Sequence, residues 1–412
     1  MKLSSLMVAA AVVLLAGTTA AQISNGVFQP RPKLKPAAPV QRPNPGGGPQ
    51  FGDALFGLDP ANLQAFVDGR TEFEAAETPE GGLGPIFNGK SCVECHSSGG
   101  TGGASAITVT RFGRVVNGKF DPLDHLGGSL LQRFAIDPAV REHVPAEANL
   151  VVQRLTPPLF GAGLIEAIAD EDILLNAQRR QPDGVQGRAG LVTDVVSGKT
   201  RVGRFGWKAQ QATLLAFSGD AYVNEMGVTN RFFPVENAPN GNRALLARFD
   251  KVADVEDTVD PVTGKGDIDH AADFMRFLAP PPPLRLSASA AAGMRLFEQI
   301  RCTSCHLPMM YTGANPIAAL AHKPVPLFSD LLLHNMGSLG DGIEQATAKG
   351  AEMRTAPLWG LRARAPYLHD GRAKTVADAI RGHDGEGAAS RDRFKNLTAA
   401  ERAQLLDYLN AI

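Results

Sequence analysis

The sequence predicts a mainly α-helical chain built as two similar domains. Three observations carry that expectation. Segments 61–77, 164–178, 207–224, 288–300, 375–382 and 398–411 place apolar residues at helical spacing. One pentapeptide pattern occurs in each half, as Cys92-Val93-Glu94-Cys95-His96 and Cys302-Thr303-Ser304-Cys305-His306. Between the halves stands the run Pro280 to Pro283, through which neither a helix nor a central strand continues.

From the N-terminus, Lys2 precedes the apolar run Leu6 to Ala16, which is too short to span a bilayer. Small residues at Thr19-Ala20-Ala21 offer a cleavage site before Gln22. The expectation is a signal peptide over 1–21, export across the inner membrane, and a periplasmic protein with no membrane span. Residues 22–50 are rich in Pro and Gly and read as an extended tether. The rest divides at the proline run into domains over 51–284 and 285–412. Hairpins around Asn117-Gly118 and Ser197-Gly198 enlarge the first domain with loops and short strands. Thr398 and Glu401 form a capping box that opens the last helix. The chain has 41 basic and 42 acidic side chains and no basic tract, so nothing suggests a nucleic-acid partner.

The two pentapeptides use all 4 cysteines of the chain. Two thiols three residues apart on one turn can add to the two vinyl groups of a haem, and the histidine that follows lies under the iron. Two covalently bound haem c groups are therefore expected, held by Cys92, Cys95, Cys302 and Cys305 with His96 and His306 as proximal ligands. A shared zinc fits poorly, because the two pairs are far apart and each carries a histidine in the same slot. A thioredoxin-type dithiol would need a βαβ context that neither pair has.

Internal repetition supports two like domains. Leu155-Thr156-Pro157-Pro158-Leu159-Phe160-Gly161 follows the first motif much as Arg354-Thr355-Ala356-Pro357-Leu358-Trp359-Gly360 follows the second. Each then leads to an aromatic and glycine cluster, Arg204-Phe205-Gly206-Trp207 in one half and Ala365-Pro366-Tyr367-Leu368-His369-Asp370-Gly371-Arg372 in the other.

This order of motifs, with Gly82-Leu83-Gly84-Pro85-Ile86-Phe87-Asn88 and Glu225-Met226-Gly227-Val228-Thr229, resembles the bacterial di-haem cytochrome c peroxidase and MauG superfamily. It is most similar to the branch called di-haem oxidoreductase, also named for a thiol activity; all four cysteines here are assigned to haem. The resemblance implies two cytochrome-c-like domains whose haems are in electronic contact, one storing an electron and the other reducing peroxide. It implies a small soluble electron donor, a cytochrome c or a cupredoxin, and a small-molecule oxidant. It also implies an inter-domain Ca2+, which the acidic stretch Asp254 to Asp269 does not locate because it lacks calcium-loop spacing.

The resemblance further implies site residues. Counting along the helix after His369-Asp370-Gly371 puts His383 at the distal position of the second haem, where the peroxidases have methionine; Met353 and Met336 are the alternatives. Glu225 falls where a glutamate lies over the peroxidatic iron and is the expected proton shuttle, with a structural carboxylate as the bland alternative. Met226 beside it is either a ligand or a core residue. Trp207 matches the tryptophan between the haems and is the expected relay. The peroxidases' displaceable histidine has no counterpart in 101–114, so either His125 serves or the first haem is open. A purely electron-carrying cytochrome and a MauG-like modifier of a partner protein are the rival functions.

Overall fold

The computed structural model describes residues 50–412, so the expected signal peptide and nearly all of the tether lie outside the described residues. Helix outweighs strand, 36% to 16%, and the strands form small separate pairs and one four-stranded sheet. Among the described residues no helix is long and apolar enough to cross a membrane.

The first helix, Pro60–Glu74, opens with proline and with Asp59 accepting from the Asn62 amide at 2.8 Å. Its buried face meets the helix Asp267–Phe277 through Phe66, Phe73 and Phe274, with the Phe73 and Phe274 rings 4.6 Å apart. Gly69 makes that approach feasible, since a Cβ there would lie 2.3 Å from the His270 carbonyl oxygen. The helix ends at Glu74 rather than 77, where Ala75 turns extended.

Strand Thr108–Val116 turns back through Asn117 and Gly118, at φ 51 and 73, into Lys119–Asp121. It also pairs with Leu130–Leu131 and, from Thr108↔Leu155 to Gly113↔Leu150, with Leu150–Leu155. Gly190–Thr193 and Thr200–Gly203 pair as a second hairpin.

The periodicity over 207–224 overstates the helix found there. Gly206 and Ala209 have φ of 76 and 51, left-handed values that no α-helix contains. The helix therefore begins at Leu214, capped by the Thr213 hydroxyl, and passes at Tyr222 into a single π turn, Tyr222–Met226. Such turns widen a helix and redirect one side chain; here the turn carries Glu225.

In the second half, Ala288–Gln299 packs on Ala399–Ala411 across Gly293, where a Cβ would stand 1.9 Å from the Gln404 carbonyl. The Thr398–Glu401 capping box forms, each partner accepting from the other's backbone N–H.

A buried charge cluster joins the halves. Asp341 accepts from Arg154 at 2.7 Å and from Lys208 at 3.0 Å, with the Lys208 and Asp341 side chains 0% and 1% exposed. Replacing Asp341 leaves two buried cations with only neutral acceptors, Gln345 for Arg154 and the Lys349, Gly350 and Glu352 carbonyls for Lys208. The expected cost of Asp341→Asn is about 3–5 kcal/mol of unfolding free energy, measurable as a fall in the denaturant midpoint. A loss no larger than that of an exposed Asp→Asn change would show that the cluster is solvated.

Candidate functional site

Two cavities contain the two cysteine–histidine turns. The larger, with ≈1320 Å3 between its walls, is lined by Cys302, Cys305, His306, Met336, Met353 and His383 among others. Helix Ala288–Gln299 delivers the turn: Arg301 reverses at φ 67, and the His306 amide closes back on the Cys302 carbonyl at 2.9 Å. The His306 Nδ1 faces the Phe328 carbonyl at 3.0 Å. On the opposite wall His383 follows the short helix Val376–Arg381, and its Nδ1 faces the Ala379 carbonyl at 2.8 Å.

A carbonyl is acceptor only, so each Nδ1 carries the proton and each Nε2 keeps a lone pair. The two ring centroids stand 6.4 Å apart. Two imidazoles sharing one metal at roughly 2 Å per bond, with roughly 1.1 Å from nitrogen to ring centre, would stand about 6 Å apart. Burial pushes His306 down to about 4 and lowers His383 as well, so both rings are neutral donors at neutral pH.

Beside this pair lies a group that the sequence did not reveal. His334, buried, is held between Asp330 at 2.9 Å and Glu386 at 2.7 Å, with the Cys305 sulfur 3.7 Å away. Burial alone would lower its pKa, but hydrogen bonds to Asp330, Cys305 and Glu386 push it up to about 12. An imidazolium therefore sits against the wall of the cavity. Arg354 and Arg364, both pushed down to about 10 by burial, line the same cavity and bond to backbone carbonyls rather than carboxylates.

The second cavity, ≈1180 Å3, is lined by Cys92, Cys95, His96, Arg111, Trp207, Glu225 and Met226 among others. The His96 Nδ1 faces the Gly103 carbonyl at 3.1 Å, the arrangement seen at His306 and His383, and burial pushes its pKa down to about 4. The facing wall differs, because His96 is the one histidine among the lining residues. His125 is exposed on the turn Asp124–Leu126 and is not among the residues lining this cavity.

Glu225 also lines this cavity and accepts from the Asn88 side-chain amide at 2.9 Å. Desolvation raises its pKa, opposed by Arg111 and Asn88. The buried Arg111 Nε has no hydrogen-bond partner. Met226 packs into a core cluster with Leu83, Phe87 and Tyr222 while also reaching the cavity. Neither Arg111 nor Asn88 stood out in the sequence; Asn88 lay inside a noted motif without a role.

Trp207 lines both cavities. Its Nε1 donates to the Leu155 carbonyl at 2.7 Å, the His369 ring meets it edge-on at 6.3 Å, and the Arg364 guanidinium lies 5.9 Å from its ring centre.

The family described as "Di-haem oxidoreductase, putative peroxidase" matches residues 139–412, well over half of the chain. The chain belongs to this family of haem-dependent oxidoreductases, and two haem groups are its cofactors. No curated protein matches the sequence.

Among solved structures, hydrazine synthase of Kuenenia stuttgartiensis is 15% identical over 93% of this chain and 100% of its own, with a TM-score of 0.40. A variant of the diheme peroxidase BthA from Burkholderia thailandensis is 16% identical over 91% and 93%, with a TM-score of 0.39. A MauG-like protein associated with microbial copper homeostasis is 19% identical over 61% and 88%, with a TM-score of 0.31. Likenesses at this distance carry no part of the assignment.

The residues present fit the group the family implies. Each cavity holds a histidine whose Nε2 is free. Each also holds buried arginine N–H groups without a carboxylate partner, suited to the acid side chains of a porphyrin.

Proposed function

We propose that this protein is a periplasmic di-haem c cytochrome that reduces hydrogen peroxide in the His96 cavity, using electrons delivered one at a time through the His306/His383 cavity. In this reading Cys92, Cys95, Cys302 and Cys305 form the thioether links, His96 and His306 are proximal ligands, and His383 is the second ligand of the C-terminal haem. The observation that carries it is the asymmetry of the two cavities. Two imidazoles face each other at 6.4 Å in one; the other is lined by a single imidazole, His96, together with the buried carboxylate of Glu225.

When bound, haem supplies reversible one-electron storage where both axial positions are filled, and reduction of peroxide where one is free. Two electrons and two protons convert one peroxide to two waters. Glu225 takes the proton from one peroxide oxygen and returns it to the departing one, and its raised pKa brings it nearer the working pH. Asn88 fixes the direction in which the carboxylate points. Trp207, on the wall common to both cavities, is the proposed relay between them. The electrons come from a small soluble donor, a cytochrome c or a cupredoxin.

The division into domains over 51–284 and 285–412 belongs to the same proposal. The second core cluster draws its buried residues entirely from Ala290 to Ile412, whereas the first packs residues of both segments together, Phe66 and Phe274 with Leu331 and Trp359.

Cyanide titration of the oxidised protein tests the reading. One equivalent per chain should bind, shifting one of two overlapping Soret bands. Failure to bind would favour a pure electron carrier with Met226 on the first iron; binding of two would show that His383 leaves its site open.

A further inference from the structure

We propose that Glu236, Asp254 and Glu256 form a binding site for a hard divalent cation, Ca2+ by preference, behind the turn that carries Glu225. The proposal is independent of the reaction assigned to the haem cavities. One carboxylate oxygen from each of the three residues lies within 4.8 Å of the others. Glu236 and Glu256 are buried and Asp254 is exposed, so the cluster has a dry floor and one wet side.

A group of acidic residues alone would be unremarked, but Glu236 is only 3% exposed and both its carboxylate oxygens lack any hydrogen-bond partner. A buried carboxylate left so costs several kcal/mol unless a cation or a proton satisfies it. The nearby cation, Arg243, acts on the carboxylate only through space and makes no hydrogen bond to it, donating instead to the Glu236 backbone carbonyl at 2.8 Å. Burial, then Glu256, Asp250 and Asp254, push Glu236 up to about 9, so the local field is short of positive charge.

The donor chemistry selects the ion. Three carboxylates with no nitrogen or sulfur among them suit a hard cation of high coordination number, and the exposed side admits water to complete the shell. The position gives the ion a task. A Cβ on Gly84 would meet Glu236 Oε1 at 2.7 Å and the Gly227 Cα at 2.6 Å, and the Gly84 amide donates to the Met226 carbonyl at 2.9 Å. Glu256 accepts from the Thr229 amide at 2.7 Å and from its hydroxyl. A cation here would tie the 250–257 loop to Gly84 and to Met226-Gly227, the exit of the Glu225 turn.

The test uses the haem-loaded protein, stripped with EDTA and melted as CaCl2 is added, beside Glu236→Gln and Asp254→Asn. Wild type should melt about 5 °C higher at Ca2+ well above its dissociation constant. Asp254→Asn, on the exposed side and compatible with folding, should need at least roughly tenfold more Ca2+ for the same shift. Glu236→Gln should lose the shift and, in EDTA, melt no lower than wild type because the repulsion is gone. A wild type indifferent to Ca2+ would overturn the proposal and leave Glu236 protonated. A shift kept by both variants would overturn it by placing the cation elsewhere.

Discussion

Replacing Glu225 with glutamine should lower peroxide turnover by about 10²–10⁴-fold while leaving both haem spectra and cyanide binding unchanged. Glutamine has nearly the volume of glutamate and keeps an acceptor for Asn88, which donates to Oε2 at 2.9 Å. The cavity wall should therefore hold its shape. The amide cannot accept a proton at neutral pH, so the transfer between the two peroxide oxygens is lost. The fall should appear in kcat, with KM little changed, because the carboxylate acts in the transition state more than in binding.

The pH profile separates this role from a structural one. Desolvation raises the Glu225 pKa, so in wild type the proton-accepting form is depleted as pH falls through that raised value. Activity should drop on the acid side in wild type, and the residual activity of the variant should lose that limb. Wild-type turnover by Glu225→Gln would return this carboxylate to the π turn as a packing residue.

His383→Met should raise the reduction potential of the C-terminal haem by on the order of 0.1 V, within the ~0.8 V range that axial ligands span. The imidazole that faces His306 at 6.4 Å is fixed by its Nδ1 contact with the Ala379 carbonyl at 2.8 Å. A thioether at the same position is a poorer donor to the oxidised iron and favours the reduced form. The His96 haem should keep its potential, since His383 does not line that cavity. If potentiometry finds neither haem altered, His383 is not the ligand, and Met336 or Met353, which line the same cavity, takes its place.

The parts of this site that could be read from the sequence are those set by local spacing. Cysteines three residues apart with histidine next in line specify a turn whatever surrounds it, and the order of motifs singled out Trp207, Glu225 and His383. Contacts assembled across the chain left no such trace. His334 has Asp330 four residues before it, but it meets Glu386 only because strand Leu333–Asn335 and the loop after His383 come together. Arg154, Lys208 and Asp341 meet in the same way, from three distant segments. The helix expected from 207 failed for a related reason. Apolar spacing continues through Trp207 and Ala209, but Ala209 adopts φ 51, and its side chain is buried against Leu333 and Ala348. Tertiary packing overrode the local preference there.

The central claim is that one iron is closed by two imidazoles and the other is open. Low-temperature EPR of the fully oxidised, haem-loaded protein reads both coordination spheres in one spectrum. One low-spin and one high-spin ferric signal of equal intensity is the predicted result, with the low-spin signal lost or altered in His383→Met. Two low-spin signals in the oxidised protein, with the haem that stays ferric after half reduction still low-spin, would contradict it.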